Sequence, residues 1–155
     1  MLRDEISDLL KQTLKGGDTV ATATLRLMRA AIKDGDIARR TAGEQASLSD
    51  DDIRKILVTM VKQRRESIEA YRKGGRVDLA EREQQEIDVI ERFLPKQMSK
   101  TDTQKVVKQA VKTLEASSLK DMGKVMAALR AAHPHEMDFA LAGSVARKIL
   151  SGETG

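Results

Sequence analysis

The stretch QRRESIEAYRKGGRVDLAEREQQEIDVIERFLP, residues 63–95, decides the fold because its charge changes sign at a glycine turn. Residues 62–76 contain six basic and two acidic residues, whereas residues 77–92 contain six acidic and two basic residues. Gly74 and Gly75 lie between the two arms and favour a tight turn. The pattern predicts an antiparallel helical hairpin in which the basic arm lies beside the acidic arm. A nucleic-acid-binding patch is the alternative interpretation of the same charges.

Arg64 interrupts the apolar side of the basic arm. It follows Met60 by four residues and precedes Ile68 by four, a spacing that puts all three on one helix face. A charge on an apolar face needs a partner in the facing helix, and counting back from the turn brings Glu83 or Glu86 beside it. We therefore predict a structural ion pair between Arg64 and one of these two glutamates.

The composition of the 155-residue chain indicates an all-α protein. Charged residues make up 34%, and apolar residues recur between them at helical spacing. Tyr71, Phe93 and Phe139 are the only aromatic residues, while strong helix formers are abundant. We predict a four-helix N-terminal region over residues 1–94 that includes the hairpin, a hinge at 95–100, and a three-helix C-terminal subdomain over 101–152.

Several predicted helices begin with residues that can cap an N-terminus. Ser49 with Asp52, and Thr101 with Gln104, have the spacing of capping boxes, and Asp138 precedes the last helix. Within the second helix we predict burial on a wide apolar face that comprises Val20, Leu25, Leu27, Met28, Ile32 and Ile37.

The net charge of +4 lies in the part of the chain that follows the predicted hairpin. Residues 1–61 contain ten bases and ten acids, whereas residues 93–155 contain ten bases and six acids. A lysine-rich helix face can be simply solvated, or it can contact phosphates, and both interpretations stay open. The candidate nucleic-acid-binding residues are Lys105, Lys108, Lys112, Lys120, Lys124 and Arg130.

No catalytic constellation is evident in the sequence. The absence of cysteine excludes thiol nucleophiles and cysteine-ligated metals. The two histidines, His133 and His135, flank Pro134 without an evident set of further ligands, and the acids at 50–52 are explained by helix capping. We predict no catalytic residue, no metal and no cofactor. No apolar run approaches the ~20 residues of a membrane span, so we also expect no membrane partner and a cytoplasmic location.

Three stretches, TLRLMRAAIKDGDIARR at 24–40, residues 63–99 and DMGKVMAAL at 121–129, together resemble the GatB/YqeY family, in its stand-alone YqeY-like branch. The resemblance implies an all-helical protein whose C-terminal subdomain is similar to the tail of the B subunit of the tRNA-dependent amidotransferase. In that enzyme the tail serves tRNA, and the glutaminase and kinase chemistry reside elsewhere.

The C-terminal resemblance is partial. Family members usually carry a basic, glycine-bearing turn after the sixth helix, whereas this chain has RAAHPHEMD at 130–138. Lys124 and Arg130 are the residues to which a family RNA contact could be transferred.

The resemblance and the charges together favour a non-catalytic accessory module associated with tRNA. The alternative is a helical protein–protein adaptor, with a partner in the translation or amidotransferase machinery. A stand-alone amidase is a third hypothesis, which the residues themselves do not support.

Overall fold

A computed structural model describes residues 1–152 of the chain. Within that range it contains seven α-helices and no strand, which confirms the all-α class. The chain divides into two units, Met1–Pro95 and a second unit from Lys96 onward. The helices are α1 (Leu2–Gly16), α2 (Thr19–Thr41), α3 (Asp50–Lys73), α4 (Val77–Glu91), α5 (Lys100–Thr113), α6 (Met122–Ala132) and α7 (Phe139–Leu150).

The first unit pairs α1 with α2 and α3 with α4, and α2 also packs against α4. One apolar core joins the four helices, because each turns a stripe of aliphatic side chains inward. Its fully buried members come from all four helices and include Ile6, Leu25, Met28, Ile53, Leu57, Ile87 and Ile90.

The hairpin of α3 and α4 turns at Gly74 and Gly75. Gly75 has φ +74°, a left-handed conformation that glycine adopts without steric cost. The Arg76 backbone N–H donates to the Tyr71 carbonyl at 2.8 Å, so the turn closes as a Schellman motif. Two ion pairs then bridge the two arms, Arg64 with Glu86 and Arg65 with Glu91.

Arg64 lies at the partly buried centre of this hairpin. Its Nε donates to Glu86 Oε2 at 3.2 Å, and its Nη1 donates to the Met60 carbonyl at 3.1 Å. The side chains of Arg64 and Glu86 are each 13% exposed. Glu83 lies beside the pair, and its pKa is raised by burial and by the Glu86 carboxylate. The Arg64 charge is therefore matched mainly by Glu86, whereas Glu83 is the group that resists ionisation.

The predicted burial of α2 was wrong at two positions. Leu27 and Ile37 are each 49% exposed. The buried face instead runs through Thr24, which is fully buried and whose hydroxyl donates to the Val20 carbonyl at 2.8 Å. A threonine whose hydroxyl is hydrogen-bonded within its own helix can occupy a core position. The buried face of α2 is therefore narrower and more polar than its apolar residues predicted.

Gly35 lies within α2 without ending the helix. A Cβ at this position would come 2.7 Å from Leu48 Cδ1 and 3.2 Å from Ile56 Cδ1. The glycine therefore allows the loop before α3 to pack closely on α2. At the end of that loop, Ser49 and Asp52 form the predicted capping box.

The second unit contains α5, α6 and α7 and a 3₁₀ turn at Leu119–Asp121. Its core is separate from that of the first unit and includes Val107, Val125, Leu129, Ala142 and Ala146. Asp138 caps α7 by accepting from the Ala140 and Leu141 backbone N–H groups, as predicted.

The start of α5 differs from the prediction. Ser99 is the N-cap, since its Oγ accepts from the Asp102 backbone N–H at 3.0 Å, and Thr101 lies inside the first turn. Within the segment 95–100 predicted as a hinge, Gln97 and Met98 are hydrogen-bonded to the loop at 135–136 of the second unit. Gln97 Nε2 donates to the His135 carbonyl at 2.9 Å, and the Met98 N–H donates to the Glu136 carbonyl at 2.8 Å.

Candidate nucleic-acid interface

Helix α5 presents three exposed lysines on one face. Thr103, Val107 and Val111 are buried and fix which side of the helix meets the core. Lys105, Lys108 and Lys112 are spaced by three and four residues, so they share a face, and all three are exposed on the side away from that core. None of the three forms an ion pair with any residue of the described range 1–152. This lysine face, Lys105–Lys108–Lys112, is the strongest candidate for contact with a polyanion.

Lys124 is held at the end of α5. Its Nζ donates to the Leu114 carbonyl at 2.9 Å. Leu114 is the C-cap of α5, where carbonyl groups lack helical partners and the helix dipole favours a cation. Lys124 therefore has a structural contact of its own, and only the remaining donors of its ammonium group can face a ligand.

Lys120 lies exposed in the 3₁₀ turn, beside an acidic residue. Asp121 Oδ2 accepts from the backbone N–H groups of Ser117 at 2.8 Å and Ser118 at 3.3 Å. These bonds lower the pKa of Asp121, and the charge of Lys124 adds to the effect. The ionised Asp121 carboxylate therefore stabilises the turn. Its negative charge also reduces the positive potential near Lys120.

Arg130 is exposed but anchored. The central carbon of its guanidinium lies 4.7 Å from the centroid of the Phe139 ring, which is cation–π geometry. Sequence reasoning missed this contact because the two residues lie nine positions apart, across an irregular loop with no helical spacing to relate them. It also missed the hydrogen bond from Lys124 to the Leu114 carbonyl. A lysine close to the end of a helix would have been the signal for this bond.

The three aromatic residues all lie within the described part of the chain and are half-buried. Tyr71 and Phe93 pack against the first core, and Phe139 packs against the second. None is a fully exposed ring of the kind on which nucleotide bases stack.

Both histidines of the chain lie in the loop that follows α6. His133 Nδ1 is paired with Glu136, and His135 is buried at 8% exposure. Across residues 1–152, no group of three or more histidine, aspartate or glutamate side chains is arranged to hold a metal ion. Nor is any helix of that range long and apolar enough to cross a membrane.

Comparison with known proteins identifies a family that covers the whole helical region. The family model described as Yqey-like protein matches residues 3–150. Among curated relatives, altered inheritance of mitochondria protein 41 of Eremothecium gossypii is 37% identical over 87 residues, which are 56% of this chain and 45% of that protein.

Two further relatives match at similar levels. The protein of the same name in Lachancea thermotolerans is 29% identical over 94 residues, covering 59% of this chain and 48% of the relative. An uncharacterised protein of Schizosaccharomyces pombe is 39% identical over 51 residues, covering 33% of this chain and 42% of the relative. This chain therefore spans less than half the length of each of these relatives.

Proposed function

This chain belongs to the YqeY-like family, and we propose that it acts as a non-catalytic accessory module that associates with tRNA. The observation that carries the proposal is the lysine face of α5, where Lys105, Lys108 and Lys112 are exposed together. These three ammonium groups form no ion pair within residues 1–152, so a ligand could be bound without first breaking one.

The distribution of charge supports an anionic partner for the second unit. Residues 1–95 contain 18 bases and 18 acids, whereas residues 96–155 contain ten bases and six acids. Each phosphate that a lysine neutralises releases a counterion, so binding would weaken as salt rises. The second unit therefore has the charge of a phosphate-binding module.

Folded RNA fits this surface better than an extended single strand. Single-strand recognition depends on aromatic stacking, and the three aromatic rings pack against the two cores. A folded RNA instead offers phosphates in a fixed arrangement. The resemblance of the C-terminal subdomain to the tail of the amidotransferase B subunit selects tRNA among folded RNAs.

The module is proposed as non-catalytic because no described cluster has the layout of a reaction site. Of the partly buried carboxyl groups of Glu83 and Glu86, that of Glu86 is ion-paired with Arg64 in the hairpin. A partner in the translation or amidotransferase machinery would supply any chemistry. The cytoplasmic location expected from the sequence stays a prediction.

The experiment is a titration of fluorescent bulk tRNA with the full chain at two salt concentrations. The test variant carries Lys105→Glu, Lys108→Glu and Lys112→Glu. The control carries Lys11→Glu, Lys15→Glu and Lys62→Glu, three exposed lysines of the first unit, so both variants have the same net charge. Lys124 is left intact because its substitution would also remove the bond to Leu114.

We expect tRNA binding to weaken with salt in the wild type and to be lost in the test variant but kept in the control. The slope of log affinity against log salt should fall by about 2–3 in the test variant, close to one unit per lysine. Equal losses in both variants would mean a non-specific charge effect and would contradict the proposal. Undiminished binding in the test variant would shift support to the protein–protein adaptor.

A further inference from the structure

A recess of about 480 Å³ lies between α1 and α2 in the first unit. Arg3 and Ser7 line it from α1, and Arg26, Arg29 and Lys33 line it from α2. Sequence counting gave no hint of this cluster, because residues 1–61 hold equal numbers of bases and acids. The equal totals conceal a local excess of positive charge.

The three bases of α2 form a continuous row. Arg26, Arg29 and Lys33 are spaced by three and four residues, so they share one helix face, and all three are exposed. At 1.5 Å per residue, the row extends about 10 Å along the helix. Within residues 1–152 none of the three forms an ion pair.

The acid that borders the row is already occupied. Asp36 accepts from both Arg3 Nη atoms, at 2.8 and 3.1 Å, and from the Leu48 backbone N–H at 3.1 Å. Arg3 and Leu48 together hold the pKa of Asp36 below its ordinary value, so the carboxylate stays ionised and bonded to them. Asp4 is the only other acid lining the recess. Four bases and two acids line the recess, so its net charge is positive. The three bases that form no ion pair among the described residues all lie on α2.

We propose that this recess binds a small phosphorylated ligand of the nucleoside diphosphate class. Its volume falls within the ~300–1,000 Å³ typical of small-molecule sites. The planar donor forks of two arginines match phosphate oxygens, and a row of about 10 Å can engage two linked phosphates at once.

The walls of the recess fit the remainder of such a ligand. Ser7 offers a half-buried hydroxyl on the α1 side, and Ala30 offers an exposed methyl group on the α2 side. Sugar and base groups present the same mixture of polar edges and apolar faces. The site is distinct from the lysine face of α5 and does not depend on the proposed tRNA association.

The test is isothermal titration of the full chain with inorganic pyrophosphate and, separately, with ADP. The variants are Arg29→Ala and Lys33→Ala, both at exposed helical positions where alanine favours the helix. The control is Lys62→Ala, an exposed lysine of α3 that does not line the recess. Circular dichroism checks that each variant keeps its helix content.

We expect both probes to bind, with each recess variant weakened about tenfold and the control unchanged. ADP should bind more tightly than pyrophosphate, because Ser7 and Ala30 offer the nucleoside contacts that pyrophosphate cannot make. No heat of binding up to about 10 mM of either probe would overturn the proposal. Binding that is equally weakened by Lys62→Ala would also overturn it.

Two further measurements separate this site from the tRNA proposal. The variant Lys105→Glu, Lys108→Glu, Lys112→Glu should bind pyrophosphate as the wild type does, whatever its affinity for tRNA. A loss of tRNA binding in Arg29→Ala without any pyrophosphate binding would identify the recess as part of an RNA surface and would refute the small-ligand assignment.

Discussion

Arg64 Nε and Glu86 Oε2 lie 3.2 Å apart across the α3–α4 hairpin, with both side chains only 13% exposed. The neighbouring pair of Arg65 and Glu91 is 3.1 Å apart, but its side chains are 49% and 32% exposed. The two pairs therefore have nearly the same geometry in different surroundings. Burial, rather than distance, should decide how much each contributes.

We predict that Arg64→Met lowers the free energy of unfolding by about 2 kcal/mol, because it leaves Glu86 partly buried without its main partner. Arg65→Met should cost less than about 1 kcal/mol, since its pair is exposed to water. Urea denaturation followed by circular dichroism measures both. The double variant Arg64→Met, Glu86→Leu should recover stability relative to Arg64→Met alone, and equal losses for Arg64→Met and Arg65→Met would contradict this account.

A second prediction concerns Glu83, whose pKa is raised by burial and by the Glu86 carboxylate. The folded chain keeps this proton to a higher pH than the unfolded chain does. The carboxyl group therefore stabilises the fold fully below its ordinary pKa, and this contribution is lost as pH rises through the raised value. At pH 7 the ionised group opposes folding, so Glu83→Gln should increase the free energy of unfolding there.

The measurement for Glu83 is urea denaturation at a series of pH values from 4 to 8. Between its ordinary and raised pKa, stability of the wild type should fall relative to that of Glu83→Gln as pH rises. Glu81→Gln is the control, because Glu81 is exposed on the same helix and its substitution should change stability by no more than about 0.5 kcal/mol. A loss of stability in Glu83→Gln at pH 7 would disprove the prediction.

Asp36 should give the opposite dependence on pH. Its hydrogen bonds from Arg3 and from the Leu48 N–H lower its pKa. Its contribution to stability is therefore present above its ordinary pKa and is lost as pH falls through the lowered value. Asp36→Asn should cost about 1 kcal/mol at pH 7 and progressively less in acid. Asp34→Asn is the control, because Asp34 lies at an exposed position two residues earlier. It should leave the thermal unfolding temperature unchanged both at pH 7 and in acid.

The cap of α5 offers a direct comparison of two neighbouring hydroxyls. Ser99 accepts the Asp102 N–H, whereas Thr101 lies exposed inside the first turn. Ser99→Ala should cost about 1 kcal/mol. Thr101→Ala should be neutral or slightly stabilising, because alanine has the higher helix propensity. Thermal unfolding of the two single variants decides the matter, and a larger loss for Thr101→Ala would mean that the helix starts later.

Much of this fold could be predicted because its helices carry local signals. The glycine turn at 74–75, the capping box of Ser49 and the cap at Asp138 each act over a few residues. The partner of Arg64 could be predicted from the sequence because residues at similar distances from the turn lie opposite each other in an antiparallel hairpin. These features need no knowledge of distant packing.

Other features depended on tertiary contacts that no local pattern encodes. Leu27 and Ile37 are exposed because the buried face of α2 includes threonines with internally satisfied hydroxyls. Thr101 matched the capping pattern, yet Ser99 is the N-cap. The two residues before Ser99 are fixed to the loop at 135–136, Gln97 through its side chain and Met98 through its backbone N–H. The recess between α1 and α2 was missed because charge totals hide how bases and acids are distributed in space.

The stacking of Arg130 on Phe139 affects how this arginine could meet a ligand. A guanidinium keeps its N–H donors in its own plane, so a ring on its face leaves its outer edge available. Immobilising a flexible side chain on association usually costs about 0.5–1.5 kcal/mol in lost rotamer freedom. For Arg130 part of that entropy is already given up when the protein folds, so an anion bound at its outer edge would lose less affinity to side-chain ordering than one bound by an unrestrained arginine.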